Sequence, residues 1–288
     1  MNKPTLSQSI AGFLKLIRYK NLLIIVLTQY MTRIFLIGPP ENYQSYIFDF
    51  KLAALSFSTV CIAAAGYIIN DYFDIKIDLI NKPEEVIIGR LVKRRWAIIL
   101  HQILNATGIL IGLWLSLKIF LLDFFAVSFL WFYSERYKRQ AFIGNVLVAF
   151  LTALSLIVVG IYFKKHQTEV YIYALFAFSI SLIREIIKDM EDIRGDARHG
   201  CRTLPIIWGF RRTKILLYIF ISSFVIILFS MAYSLQNTKL TIVFLVLMLP
   251  ISWLTAKIYR ADKKRDFGKL SAICKAIMLI GVASMVFI

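Results

Sequence analysis

Asp71, Asp74 and Asp78 stand in the stretch NDYFDIKID (residues 70–78), and Asp189, Asp192 and Asp196 repeat the D-x-x-D-x-x-x-D spacing in KDMEDIRGD (188–196). On a helix turning about 100° per residue, offsets of three and seven place three side chains within about 60° of one another. Each set is therefore expected as a carboxylate stripe on one helix face. Like charges so close repel, and more strongly near a membrane boundary, so a stripe calls for a compensating cation or partial protonation. Mg²⁺ meets that need: it takes oxygen ligands, keeps several waters and is held by one or two carboxylates while phosphate oxygens complete its shell. Two facing stripes predict a Mg²⁺-bridged phosphate or diphosphate, with Arg and Lys of the neighbouring loops on the remaining oxygens. One such set on its own reads as a solvated helix end paired with adjacent basic residues. Two copies with matched spacing argue for a ligand.

Both stripes follow apolar runs, AALSFSTVCIAAAGYII before the first and YIYALFAFSISLI before the second. The chain of 288 residues is 59% hydrophobic and 18% charged, with a mean hydropathy of +0.71, more apolar surface than one soluble core of that length can use. A membrane span needs roughly 20 apolar residues, and continuous rather than alternating runs indicate helices and not a barrel. Nine spans are expected near residues 12–37, 51–73, 96–117, 119–133, 142–163, 169–188, 214–234, 239–258 and 269–288. The fourth is short, and a re-entrant segment there would leave eight. No polar block of domain size interrupts the series, so residues 1–288 read as one all-α transmembrane domain, with the two acidic motifs as traces of an internal repeat. The N-terminal stretch lacks an apolar core followed by a small-residue cleavage site, so the first helix is expected to stay. Cys61, Cys201 and Cys274 are too scattered for a disulfide framework or a zinc site.

The formal net charge of +17 raises nucleic acid as a partner, but its placement argues against it. KRRW, SERYKR, GFRRTK and YRADKKRDFGK all fall on the N-terminal side of a nine-helix layout. That bias predicts a cytoplasmic N-terminus and cytoplasmic acidic motifs, with most basic residues serving topology and membrane-lipid headgroups. No obligate protein partner is indicated.

A diphosphate held at the mouth of a helical bundle implies a substrate with a greasy other end. NDYFDIKID resembles the first aspartate-rich motif of the UbiA superfamily of intramembrane prenyltransferases, and KDMEDIRGD resembles the second. IRYKN (17–21) is similar to the R-P-x-N element of the first helix, with Tyr19 in place of the usual Pro. YSERYKRQAFIGN (133–145) resembles the Y-S-x-x-L-K-R-x-x-x-x-G-N element, and GCRTLPIIWG (200–209) the G-x-x-T-L-P-x-x-x-G stretch. The likeness runs through nearly the whole chain in the expected order. It implies a helical bundle around a central cavity with cytoplasmic cap loops, in the inner membrane of the cell. It also implies Mg²⁺ on Asp71, Asp74, Asp78, Asp189, Asp192 and Asp196, and a prenyl diphosphate transferred to a lipophilic acceptor. Lys138, Lys188 and Arg202 are the implied catalytic cations. Arg18, Asn21, Asn70, Arg90, Arg139 and Arg194 are the implied substrate-binding residues.

The second motif is most similar to the branch that transfers geranylgeranyl to geranylgeranylglyceryl phosphate. The branches with aromatic acceptors, for quinones or for haem and chlorophyll, are the alternative. One departure from the pattern is Glu85-Val86 where an Arg-Pro pair is common; Glu85 either adds an anion near the phosphates or points to solvent. Outside the enzyme class, intramembrane acids also mark ion paths, but a divalent-cation transporter needs sites along its depth and these acids gather at one face. His101 is expected as a packed, hydrogen-bonded core residue, and His166 and His199 as exposed. Glu185 either joins the second stripe or pairs with Arg184 or Lys188.

Overall fold

A computed structural model describes residues 6–38, 40–164 and 167–288. Among them nine helices are long and apolar enough to cross a membrane, the short fourth included, since it runs over Leu117–Glu135. Many large apolar side chains on these helices face outward, among them Leu110, Ile226 and Leu249, as lipid-facing surfaces require. The chain is a multi-pass membrane protein. His166 lies outside the described residues.

The helices are α1 (Leu6–Leu16), α2 (Tyr19–Met31), continued by a π-helical turn over Thr32–Ile37, α3 (Tyr43–Ile47), α4 (Phe50–Asn81), α5 (Arg94–Leu115), α6 (Leu117–Glu135), α7 (Ile143–Phe163), α8 (Gln167–Arg198), α9 (Leu204–Leu235), α10 (Thr238–Arg260) and α11 (Lys264–Ser284). They form two compact units, one of residues 1–29 and 48–138, the other of residues 30–47 and 139–288. Each unit holds one acidic motif.

In the first unit α4 packs on α5 and α6. The Asp49 carboxylate accepts from the backbone N–H of Lys51 and Leu52 and so starts α4. Pro83 ends its continuation, because proline offers no N–H and clashes with the preceding turn. The helix therefore runs through the entire first motif, beyond the expected end near residue 73, and the three acids occupy its last turns. The expected first span is split instead. Arg18 takes a positive φ of 50° between α1 and α2. At the motif end of the unit, Leu16, Ile68, Ile87, Ile88 and Ala97 form a buried cluster with Tyr72 and Ile75 packed on it. That cluster braces α4 against α1, the loop after the motif and the start of α5.

Farther along the same three helices, Ser58 donates to Asp123 Oδ2 at 2.7 Å and lies 2.8 Å from the Gly108 carbonyl oxygen. Gly108 and Gly112 keep α5 free of side chains where Ile62 and Asp123 press against it. His101 is buried as expected: Nδ1 bonds the Ala65 carbonyl at 3.0 Å and Asn105 sits 3.1 Å from Nε2.

In the second unit α8 is the central helix, packed on α7, α9 and α11. Tyr173 and Ser284 share a hydrogen bond of 2.9 Å, and the Phe176 ring sits 5.2 Å from that of Phe224. α9 opens with Pro205 in its first turn, where a missing N–H costs nothing, and is kinked at Gly209, whose φ is 73°. α8 ends at Arg198, and Gly200, with φ 70°, turns the chain toward α9.

Candidate active site

Each stripe is helical throughout, so the one-face geometry follows from the spacing. The partners come from elsewhere in the chain. Arg18 Nη2 lies 2.9 Å from Asp71 Oδ1, and its guanidinium covers the Tyr67 ring at 4.9 Å. The same ring's hydroxyl accepts from Asn21 Nδ2 at 3.3 Å. The break between α1 and α2 thus delivers both residues of the IRYKN element to α4. Burial works against the charge on Arg18, but Asp71, and beyond it Asp78, outweigh burial and hold the guanidinium above its ordinary range.

Lys138, just past the end of α6, reaches Asp74 Oδ1 at 2.5 Å and Asn70 Oδ1 at 3.5 Å. The pair is almost out of water, with side-chain exposures of 10% for Lys138 and 14% for Asp74. One ammonium therefore spans two members of the first motif that lie one helical turn apart. Tyr72 and Phe73, between those members, point to aromatic and basic neighbours: Arg94 lies over Tyr72 at 4.7 Å, and Phe73 meets Trp131 edge-on at 5.9 Å.

Two expected residues sit apart from the acids of the first unit. Arg90 is exposed and donates to the Pro83 carbonyl of its own loop at 2.8 Å. Glu85 is exposed on the short 3₁₀ turn Pro83–Glu85, which resolves its two readings in favour of solvent.

In the second unit, Asn145 at the start of α7 donates to Asp189 Oδ2 at 2.9 Å. Asp196, Glu185 and Lys188 are close enough to act on Asp189 electrostatically. Asn145 belongs to the Y-S-x-x-L-K-R-x-x-x-x-G-N element, but no spacing in the sequence assigns it to an aspartate 44 residues away. Asp192, Asp196 and Lys188 are half-buried on α8, and Arg194 is exposed. Arg202 and Arg139 have exposed side chains and meet through the backbone, where the Arg202 N–H donates to the Arg139 carbonyl at 2.7 Å. Glu185 pairs with Arg184 at 2.5 Å, one of its two expected roles. His199 is half-buried rather than exposed, because Nδ1 turns back onto the Gly195 carbonyl at 3.0 Å.

The donor chemistry of the stripes suits Mg²⁺. All six candidate ligands are carboxylates, and among the described residues no cluster of three or more His, Cys, Asp and Glu side chains stands ready as a closed metal cage. An ion held by one or two carboxylates and completed by water and phosphate oxygens is the kind such residues accept. The cations already drawn to Asp71 and Asp74 are of the type that stabilises phosphate oxygens.

Comparison with known proteins follows this chemistry. The model of the UbiA prenyltransferase family matches residues 42–275. The digeranylgeranylglyceryl phosphate synthase of Sulfurisphaera tokodaii is 30% identical over 279 residues, covering 94% of this chain and 97% of that one. The enzyme of the same name from Methanothermobacter thermautotrophicus is 36% identical over 169 residues, which span 59% of this chain and 60% of that relative's length. A solved structure of a digeranylgeranylglyceryl phosphate synthase gives a TM-score of 0.75 at 26% identity, covering 96% of this chain and 97% of that one. A UbiA homolog from Archaeoglobus fulgidus, solved with GPP and Mg²⁺ bound, shares the fold with a TM-score of 0.65 at 16% identity, covering 95% and 99%.

Proposed function

The chain belongs to the UbiA prenyltransferase family, and from that premise we propose that it transfers geranylgeranyl from its diphosphate to the free hydroxyl of geranylgeranylglyceryl phosphate. The observation that carries the reading is the pairing of Asp71 with Arg18 and of Asp74 with Lys138 at the end of a membrane-spanning helix. Carboxylates for a metal stand on one helix whose remainder suits lipid, and cations for phosphate oxygens are brought to them from the α1–α2 break and from the segment after α6. The S. tokodaii relative, similar over almost its whole length, supports this acceptor over an aromatic one.

In this reading residues 1–288 act as one prenyltransferase domain in the cell membrane, with the N-terminus and both motifs cytoplasmic. The carboxylates of each motif would hold Mg²⁺, which when bound would supply positive charge against the negative charge that grows on the diphosphate as the allylic C–O bond breaks. Arg18 and Lys138 then exchange part of their pairing with Asp71 and Asp74 for the diphosphate oxygens, which stabilises the same charge. Lys188, Arg194 and Arg202 serve the diphosphate from the second motif and its loop. The bonding electron pair leaves with the diphosphate, the acceptor oxygen bonds to the allylic carbon, and the hydroxyl proton is released. The allylic cation needs a dry apolar surround until the acceptor attacks.

The test is to incubate purified protein in detergent with geranylgeranyl diphosphate and either geranylgeranylglyceryl phosphate, 4-hydroxybenzoate or dihydroxynaphthoate, and to identify products by mass. The expected outcome is a Mg²⁺-dependent ether product with the first acceptor. A prenylated aromatic as the main product would move the chain to another branch, and divalent-ion flux without any product would make it a transporter.

A further inference from the structure

The polar face of α8 does not stop at Asp189. Continuing from that acid into the span, it carries Lys188, Glu185, Arg184 and Ser181, all within about 140° of one another around the helix. At 1.5 Å per residue, Glu185 lies about 6 Å and Ser181 about 12 Å deeper than Asp189 along the axis. Glu185 is 8% exposed and Ser181 4%. Charged and polar groups at such a depth in a lipid-spanning helix are costly, and they mark function more often than packing.

An ion pair that served only to neutralise itself would use up its own hydrogen-bonding groups. Arg184 and Glu185 do not. Arg184 Nη1 engages Glu185 Oε1, while the buried Arg184 Nε–H has no acceptor, and one turn deeper the buried Ser181 hydroxyl has no partner either. Buried polar atoms of this kind are ordinarily satisfied, so a donor, a hydroxyl and a carboxylate on one face describe a place for a polar group that binds.

We propose that Ser181, Arg184 and Glu185 form the subsite for the acceptor's hydroxyl-bearing headgroup, Glu185 accepting from the hydroxyl while Arg184 Nε and Ser181 donate to neighbouring oxygens. The inference rests on the prenyl-transfer reading and adds the location of the second substrate. Depth supports it. The reacting carbon is bonded to the diphosphate, so it lies just inside the acids that hold that group, at the level where these residues begin. An acceptor hydroxyl presented there meets the carbon from the lipid-facing side of the diphosphate.

The experiment is steady-state kinetics of the full chain in detergent, with geranylgeranyl diphosphate and geranylgeranylglyceryl phosphate varied separately, for wild type, Ser181→Ala and Glu185→Gln. The expected result is a rise of about tenfold or more in the acceptor KM, with the KM for geranylgeranyl diphosphate unchanged within twofold. Ser181→Ala removes no existing hydrogen bond, so it tests the subsite even if Glu185→Gln lowers the yield of folded protein. An unchanged acceptor KM in Ser181→Ala, or parallel rises in both KM values, would overturn the subsite. Absence of product from wild type with any acceptor would instead overturn the parent reading.

Discussion

Lys138 Nζ lies 2.5 Å from Asp74 Oδ1, and both side chains are close to fully buried. The two residues are brought together by the packing of α6 against α4. Removing one partner of a pair so placed leaves a desolvated charge behind. Lys138→Met is expected to lower unfolding stability by on the order of 3 kcal/mol and prenyl transfer by at least about 100-fold. Adding Asp74→Asn to that variant should restore part of the stability and none of the activity. Thermal unfolding in detergent alongside product formation separates the two effects.

Arg18 is a third exposed, so its loss should weaken diphosphate binding more than folding. Arg18→Ala is expected to raise the KM for prenyl diphosphate roughly tenfold, a change equivalent to about 1.4 kcal/mol. Because the neighbouring acids raise an already strongly basic group, its contribution is present at every pH below that range and is lost only on extreme alkaline titration. The wild-type pH profile should therefore show no basic limb that disappears in Arg18→Ala.

Asn145 donates to Asp189 from a buried position at the start of α7. Asn145→Ala should cost about 1–2 kcal/mol, because it leaves an Asp189 oxygen without its donor. Asn145→Asp places a second carboxylate at 2.9 Å from the first and should abolish activity at neutral pH. Unfolding and turnover of the two variants, measured side by side, check the order Asn145→Asp worse than Asn145→Ala.

Asp71→Ala and Asp192→Ala remove one candidate ligand from each motif. Both proteins should insert and unfold at near wild-type temperature, yet release no diphosphate. Wild type treated with EDTA should behave in the same way until Mg²⁺ is returned. Near wild-type turnover in both variants would remove the aspartates from the mechanism.

Gly112 faces the carboxylate of Asp123, which Ser58 holds in place. A methyl group there has no room, so Gly112→Ala should destabilise the first unit by about 1–3 kcal/mol. The surviving folded fraction should keep its KM values, because the contact lies far along α4 from the motif. Parallel loss of substrate affinity would tie this packing to the site.

The sequence by itself determined where the helices run and which way their acids point. Hydrophobic length sets a span, and the helical period is a property of neighbouring residues, so the six aspartates form two one-sided stripes without knowledge of any other part of the chain. Even so, α4 outruns its apolar segment, because helix hydrogen bonding continues until Pro83 interrupts it, whatever the polarity of residues 74–81.

Only the tertiary structure decided which cation meets which acid. Arg18 and Asp71 are 53 residues apart, Asn145 and Asp189 are 44 apart, and charge alone makes Arg18, Arg90, Lys138 and Arg202 equivalent candidates. The positive φ at Arg18 and the packing of α6 on α4 select two of them for the first stripe, while the short loop after α4 ties Arg90 to the Pro83 carbonyl. Periodicity is local and so can be read along the chain. Pairing depends on contacts between distant segments, and those exist only once the helices have packed.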